Sequence, residues 1–332
     1  MAPARGARPA GRPRPRAHRV TALAAFPRGG TRRIVYLGTP ELAVAPLDAL
    51  LAAGVEVALV VTRPDVRRGR GSATTPSPVK ARALARGIPV TSDVHDVLGL
   101  ADAGPIAGVV VAFGERIPDE VLARVPMLNL HFSLLPRWRG AAPVERAILA
   151  GDAETGACVM SVVPEMDAGP VHASARTAIG PGDTTESLRS RLLALGVPLL
   201  VAAVRDGVGE GEPQRGAPVH AAKIRAADLR LDWSRPAVEL ARVVRVGGAY
   251  ATLPSGARLG VRSASAGAVD AAMRDAAPGT LGVGTVDGGD AILVRVGDGV
   301  LALREVQPEG RGAMDAGAWW RGARLAPGDR LG

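Results

Sequence analysis

The sequence contains one cysteine, Cys158, among 332 residues. A single cysteine cannot close an internal disulfide, which excludes a small secreted scaffold held by cross-links and fits a reducing cytosol. No uninterrupted apolar run reaches the roughly 18 residues of a membrane span, so we expect a cytoplasmic chain without a membrane partner. Hydrophobic residues make up 47% and charged residues 22%, which is typical of a globular protein with a buried core.

Acidic residues are absent from the first 33 positions, which hold nine arginines. The whole chain has 41 basic and 32 acidic residues, so without these nine the remainder has 32 of each and no net charge. A nucleic-acid contact in the body of the protein must therefore depend on local patches. Residues 1–32 also lack apolar periodicity, and we expect a disordered Arg/Pro-rich extension there.

Lysine and asparagine are scarce too. Only Lys80 and Lys223 are lysines, and Asn129 is the only asparagine. In a chain so poor in these residue types, a position that keeps one is a slightly better candidate for a chemical requirement.

From residue 34 onward, short apolar runs alternate with helical stretches. The runs lie at 34–37, 55–61, 108–113 and 127–131, and the helical stretches at 41–53, 117–124 and 143–150. This alternation predicts an α/β fold with a Rossmann-like, doubly wound, mostly parallel sheet over 33–204. Ligands of such sheets bind beyond the carboxyl ends of the strands. No G-x-G-x-x-G motif follows the first run, which argues against a dinucleotide site.

The second half of the chain has a different pattern. Residues 205–226 are rich in Gly, Glu and Pro and predict a linker. Beyond it, apolar runs broken by glycine at 258–262, 279–286, 291–296 and 300–306 predict a small, OB-like C-terminal β-barrel over 227–332.

The stretch with the most chemical information runs from Asn129 to Pro143 and reads NLHFSLLPRWRGAAP. Asn129 and His131 are two residues apart at a strand end, so both side chains project to the same side. An amide donor beside an imidazole, which exchanges protons near neutral pH, can stabilise an oxyanion on a carbonyl carbon under attack. Taken singly, each residue type is more often a structural core or cap residue.

A second motif, MDAGP at 166–170, follows the apolar run that begins at Cys158. Asp167 in this tight loop would lie at the mouth of the same sheet, where it could relay a proton from an attacking amine. An isolated aspartate before glycine usually forms a turn, so the interpretation depends on the combination. His95, His172 and His220 show no ligand spacing with Cys158, so no metal site is expected.

The combined motifs resemble the signature of the 10-formyltetrahydrofolate-dependent formyltransferases. The resemblance implies that Asn129, His131 and Asp167 are the catalytic residues. It also implies that 10-formyltetrahydrofolate is the formyl donor, without a metal. The loop that would border the folate consists of Ser133, Leu134, Leu135 and Pro136.

Other segments resemble the subgroup that acts on methionyl-tRNA. RPD at 63–65, GRG at 69–71 and PSPVK at 76–80 are similar to the loop that this subgroup inserts to reach the tRNA acceptor stem. The resemblance implies tRNA contacts by Arg67, Arg68 and Arg70, although such a cluster alone is more often a solvated loop. AAKI at 221–224, LDW at 231–233, QPEG at 307–310 and PGDRL at 327–331 are similar to its C-terminal domain.

This subgroup implies a monomeric cytoplasmic enzyme that formylates methionyl initiator tRNA, with a catalytic domain at 33–204 and a tRNA-contacting barrel at 227–332. VGGAY at 246–250 departs from the subgroup's Pro-rich turn. Two alternatives stay open: a formyltransferase for a small amine such as a sugar nucleotide, and a catalytically inactive RNA-binding relative.

Overall fold

A computed structural model describes residues 23–67, 74–269, 273–286 and 289–332. The strands within these ranges are β1 (Arg33–Gly38), β2 (Glu56–Val61), β3 (Val66–Arg67), β4 (Thr74–Thr75), β5 (Val90–Thr91), β6 (Ala107–Val111), β7 (Met127–His131), β8 (Arg137–Gly140), β9 (Glu154–Ser161), β10 (Val171–Ala178), β11 (Val219–Ala221), β12 (Tyr250–Thr252), β13 (Arg258–Gly267), β14 (Leu281–Val286), β15 (Gly289–Arg295), β16 (Val300–Pro308) and β17 (Met314–Asp315). The helices described there are α1 (Val44–Ala52), α2 (Pro78–Ala85), α3 (Asp96–Asp102), α4 (Asp119–Leu122), α5 (Pro143–Ala150), α6 (Thr185–Asp206), α7 (Ala226–Leu229), α8 (Ala237–Val246) and α9 (Ala316–Gly322).

The first sheet has the strand order β10-β9-β7-β6-β1-β2-β5. Neighbours from β7 to β5 are parallel, whereas β9 runs antiparallel to β7 and β10 antiparallel to β9. The central strands β1 and β6 are almost wholly apolar because helices cover both faces of a parallel sheet. The predicted Rossmann-like, mostly parallel α/β fold is confirmed.

Helix α6 packs across β9 and β10 on one face of this sheet. It begins with a capping box in which Thr184 and Ser187 satisfy each other's backbone N–H groups. By length and composition alone it would pass as a membrane span. However, Leu188, Leu192 and Leu200 are fully buried against the sheet, as expected of a core helix.

The second sheet is antiparallel and separate from the first. Its strands follow the order β12-β13-β16-β15-β14, and β17 pairs with β16. Helix α8 packs on β13 and buries Leu240, Val243 and Val244 in a core that also contains Trp233 and Trp319. The four apolar runs at 258–306 overlap β13–β16, and each begins within two residues of the start of its strand. The separate antiparallel C-terminal domain is thus confirmed, and its sheet is consistent with the small barrel expected from the sequence.

The expectation of a disordered extension over 1–32 is wrong for residues 23–32; residues 1–22 lie outside the described ranges. Phe26 is 6% exposed and belongs to the core of the first domain. The Thr31 N–H donates to the Val204 carbonyl at 2.8 Å, and the Ala24 N–H donates to the Leu122 carbonyl at 3.3 Å. One aromatic anchor and paired backbone groups hold a segment that has no periodicity of its own.

We therefore predict that Phe26→Ala destabilises the protein by about 3–5 kcal/mol, the usual cost of removing a buried phenylalanine. Urea unfolding followed by circular dichroism would measure the free energy of unfolding. Leu23→Ala is the matched control, since Leu23 is 38% exposed on the same segment. If both substitutions had the same small effect, Phe26 would not anchor this segment.

The segment predicted as a linker lies against the first domain. Strand β11 pairs in parallel with β8. Arg146 of α5 donates to both carboxylate oxygens of Asp228 in α7, at 3.3 and 3.0 Å, and to the carbonyls of Ala222 and Lys223. These contacts attach the C-terminal end of the segment to the first domain, so it is part of the structure around the site described next.

Candidate active site

The three predicted catalytic residues lie together at the carboxyl end of β7. Asn129 is half-buried and His131 is buried. Asp167 comes from the loop between β9 and β10, and its carboxylate lies between the other two side chains. Asn129 Nδ2 donates to Asp167 Oδ1 at 3.4 Å, and His131 Nδ1 lies 3.7 Å from Asp167 Oδ2. This is the edge of the sheet at which doubly wound folds bind ligands.

The Asp167 carboxylate is held by the backbone of the motif that follows β7. The Gly140 N–H donates to Asp167 Oδ2 at 2.7 Å. Gly140 has φ +121°, and a Cβ there would lie 2.9 Å from the Ala221 carbonyl oxygen of β11. Because only glycine fits this conformation and contact, the glycine of the WRG part of the motif has a structural role next to the three predicted catalytic residues.

Asp167 itself has φ +49°, in the left-handed region that aspartate tolerates better than most residues. Two residues on, Gly169 passes so close to β9 that a Cβ would lie 1.8 Å from the Ser161 carbonyl oxygen. The DAG sequence is therefore needed to turn the loop tightly enough to bring the carboxylate back over β7.

The orientation of His131 is set by a carbonyl group. Its Nε2 lies 2.9 Å from the Trp138 carbonyl oxygen, and Trp138 has φ +65°. Since a carbonyl oxygen only accepts, Nε2 carries the proton in the neutral ring. Nδ1 is then free to accept a proton and faces Asp167, which makes it the nitrogen that can take part in chemistry.

The predicted folate loop follows His131 directly. Ser133 is fully buried and its hydroxyl donates to the Arg137 carbonyl at 2.6 Å, so it shapes the turn. Leu134, Leu135 and Pro136 are half-buried, and the Leu135–Pro136 peptide bond is cis. These three residues, and not the serine hydroxyl, are the parts of the loop available to a ligand.

Two other ionisable groups near the site are neutral at physiological pH. Cys158 of β9 lies opposite His131 of β7, and burial raises the pKa of its thiol, partly offset by a hydrogen bond with the Leu135 backbone. Burial also lowers the pKa of His172, whose Nε2 lies 2.7 Å from the Ser161 hydroxyl. A neutral buried thiol is a poor nucleophile, so Cys158 is a packing residue.

Of the predicted tRNA contacts, Arg68 and Arg70 lie outside the described residues, and only the backbone of Arg67 is described, in β3. The motifs around them fix the base of this loop. Lys80 Nζ pairs with Asp65 at 2.8 Å. The Ser77 hydroxyl accepts the Lys80 N–H as the N-cap of α2 and lies 2.8 Å from the Thr62 hydroxyl. The β3–β4 hairpin between these contacts is thus anchored on both sides.

Sequence reasoning missed Gln214 and left Arg139 without a role. Gln214 lies in the segment assigned to the linker, yet its side chain contacts the loop that carries Asp167. Arg139 is buried and contacts both Gln214 and Glu165. A glutamine among Gly, Glu and Pro residues gives no periodic or motif signal, so only the structure identifies it.

Two cavities of about 790 and 660 Å³ lie away from the three catalytic candidates, between the domains. Their shared basic residues are already engaged: Arg245 donates to the carbonyls of Gly180 and Asp183, and Arg262 donates to Gln307. Burial lowers the pKa of Arg245, and the neighbouring Arg242 adds to this. Arg245 thus connects the two domains, whereas Arg262 is engaged within the C-terminal sheet. Within the described ranges, no group of three or more His, Cys, Asp or Glu side chains is placed to hold a metal ion.

Comparison with protein families identifies the class of protein to which the chain belongs. The model described as formyl transferase matches residues 32–204, and the model described as formyl transferase, C-terminal domain, matches residues 223–324. The chain therefore belongs to the formyl transferase family, and the resemblance inferred from the motifs is confirmed.

Within the family, the chain is similar to proteins named methionyl-tRNA formyltransferase. It is 42% identical to that of Symbiobacterium thermophilum over 90% of this chain and 95% of the relative, and 42% identical to that of Heliobacterium modesticaldum over 90% and 100%. Among these relatives, that of Jannaschia sp. is 40% identical over 90% of this chain and 99% of its own.

Solved structures share the fold at low identity. HypX from Aquifex aeolicus in complex with tetrahydrofolic acid has a TM-score of 0.59 at 15% identity, over 90% of this chain and 48% of that one. The chain thus spans about half the length of HypX. An N-formyltransferase from Helicobacter canadensis, in complex with folinic acid and dTDP-3-aminofucose, has a TM-score of 0.58 at 15% identity, over 84% of this chain and 99% of that one.

Proposed function

We propose that this protein transfers the formyl group of 10-formyltetrahydrofolate to the α-amino group of methionyl initiator tRNA. The observation that carries the proposal is the Asp167 carboxylate between Asn129 and His131 at the ligand-binding edge of the sheet. Relatives about 40% identical over 90% of the chain, named for this activity, support the choice of substrate.

The geometry suits direct acyl transfer between two nitrogens. The amine nitrogen forms a bond to the formyl carbon, and the bond from that carbon to the folate nitrogen breaks. Asn129 Nδ2 donates to the oxyanion that develops, as does His131 Nδ1 when the ring is protonated at both nitrogens. Asp167 accepts the proton that the amine loses and passes it to the departing nitrogen. No step requires an enzyme nucleophile.

The remaining parts of the proposal concern the substrates' positions. We assign residues 33–204 to catalysis, 205–226 to the connection and 227–332 to tRNA contact. The half-buried Leu134, Leu135 and Pro136 would border the folate, with Ser133 shaping their turn. We further propose that the protein acts as a monomer in the cytoplasm, which size-exclusion chromatography and cell fractionation would check.

The decisive experiment is a formylation assay with three acceptors: methionyl initiator tRNA, methionyl elongator tRNA and a dTDP-amino sugar. We expect rapid formylation of the first only. Preferred formylation of the sugar nucleotide would replace the proposal with the small-amine alternative. No transfer to any acceptor, together with tRNA binding, would indicate the inactive RNA-binding alternative.

The anchored β3–β4 hairpin also predicts a separation between tRNA and folate recognition. Arg70→Leu should lower kcat/KM for methionyl initiator tRNA by about 10- to 100-fold, corresponding to loss of one or two charge-assisted contacts, with folate affinity unchanged. Arg124→Leu is the control, because Arg124 lies between α4 and β7, before the amino end of that strand, whereas the hairpin follows the carboxyl end of β2. Equal losses in both variants, or weaker folate binding by Arg70→Leu, would contradict the assignment of this loop.

A further inference from the structure

Gln214 contacts the backbone of the loop that carries Asp167, although it lies outside the segment that the first family model matches. Its Nε2 donates to the carbonyl oxygens of Asp167 and Gly169, both at 2.8 Å. The residue lies between the two segments that the family models match, 32–204 and 223–324. One amide group from the connecting segment therefore uses both its hydrogens on the loop that carries Asp167.

Arg139 fixes the orientation of this amide. Its Nε donates to Gln214 Oε1 at 2.9 Å, which sets the side-chain oxygen on one side and the two N–H groups on the other. Its Nη1 donates to Glu165 at 2.9 Å, at the start of the same loop. Arg139 also lies in β8, one residue before the glycine that donates to the Asp167 carboxylate.

The backbone on either side of Gln214 is fixed as well. Glu212 exchanges two backbone hydrogen bonds with Val171, at 2.8 and 2.9 Å, directly after the catalytic loop. Farther along, β11 pairs with β8 and places Ala221 opposite Gly140. The connecting segment thus contacts the Asp167 loop and the strand that supports the Asp167 carboxylate, with Gln214 between these two attachments.

We propose that Gln214 is a positioning residue for the reaction: it holds the Asp167 backbone so that the carboxylate stays between Asn129 and His131. This inference rests on the proposed function of Asp167. Without the two amide donors, the carbonyls of Asp167 and Gly169 lose their side-chain partner and the loop can shift. A displacement of about 1 Å in a catalytic group can lower a rate by about 100-fold.

The expected result for Gln214→Ala is a kcat about 10- to 100-fold lower, with KM for both substrates within about threefold of wild type. Gln214→Glu keeps the length and the contact with Arg139 but removes both donors, so a similar loss of kcat is expected at pH 7. A wild-type kcat for Gln214→Glu would show that the two hydrogen bonds from Gln214 are not needed for turnover and would contradict the proposal.

A double-mutant cycle in single-turnover assays would test whether Gln214 acts through Asp167. In the Asp167→Ala background, Gln214→Ala should have little further effect, because the group that it positions is gone. An equal loss in both backgrounds would overturn the inference and leave the role of Asp167 intact. If Asp167→Ala alone stayed within tenfold of wild type, the proposed function of the trio would fail instead.

Gln307→Ala is the matched control. Gln307 also accepts from an arginine Nε at 2.9 Å and donates to a backbone carbonyl at 2.8 Å, but it does so in the C-terminal sheet. Its kcat should stay near that of wild type. The melting temperatures of all variants would also be compared. If kcat fell in proportion to the melting temperature in both the Gln214 and the Gln307 variants, Gln214 would have a role in stability only.

Discussion

Asp167→Asn is expected to lower kcat by about 100- to 10,000-fold, the usual contribution of a general acid–base group. The substitution keeps the size of the side chain and an oxygen that can accept the Gly140 N–H, which lies 2.7 Å from the native carboxylate. It removes the charge and the capacity to take a proton from the attacking amine. Single-turnover formylation of methionyl initiator tRNA under saturating substrates would measure the effect.

A matched carboxylate is available for comparison. The Asp152 side chain is 13% exposed and that of Asp167 15%, and Asp152 accepts from the side chains of Arg137 and Trp138, close to the same motif. Asp152→Asn should reduce stability more than turnover. If both variants lost turnover equally, the loss would come from removing a buried carboxylate near β8, whichever one it is. Asp167 would then have no special role.

The order and type of the elements at the site were predictable, since they depend on local patterns. The bounds of β7 and α5 agree with the apolar run at 127–131 and the helical stretch at 143–150. A strand end fixes which side chains share a face, so the proximity of Asn129 and His131 followed from their spacing. The position of Asp167 near them was inferred from its place after an apolar run, and the structure places it there.

Features that depend on contacts distant in sequence were not predictable. Phe26 is buried because the chain before β1 returns to the core beside α6, and no pattern in residues 23–32 indicates this. Gln214 contacts a loop 45 residues or more earlier, and a Gly/Pro-rich composition predicts only the absence of regular structure. In both cases we expected a segment without periodicity to make no contacts with the folded domain, and the structure shows such contacts.

The connecting segment has a consequence for how the two domains cooperate. It attaches to the first domain through β11, Gln214 and Glu212, and then enters α7, where Asp228 pairs with Arg146. The segment that leads into the second domain therefore contains residues that contact the Asp167 loop. Contact of tRNA with the second domain, as proposed, would act on the segment that contains Gln214.

Asn129→Ala is expected to lower kcat by about 100- to 1000-fold, the usual effect of removing one preorganised oxyanion donor. Asn129 is half-buried at the end of β7, and its side chain makes one hydrogen bond among the described residues, from Nδ2 to Asp167 at 3.4 Å. Such a long bond contributes little to stability, so the melting temperature should change little. The amide is available to the oxyanion because no shorter bond engages it.

Asn129→Asp tests the hydrogen-bond donor while keeping the shape of the side chain. It replaces the donor by a carboxylate oxygen near Asp167, and two like charges at that distance disfavour the ionised form of both groups. Turnover should fall at least as far as in Asn129→Ala. KM for the tRNA should stay within about threefold, since the base of the loop proposed to contact tRNA lies on other strands. Retention of wild-type turnover by Asn129→Asp would show that the amide donor is not used, and oxyanion stabilisation would then have to come from His131 and the backbone.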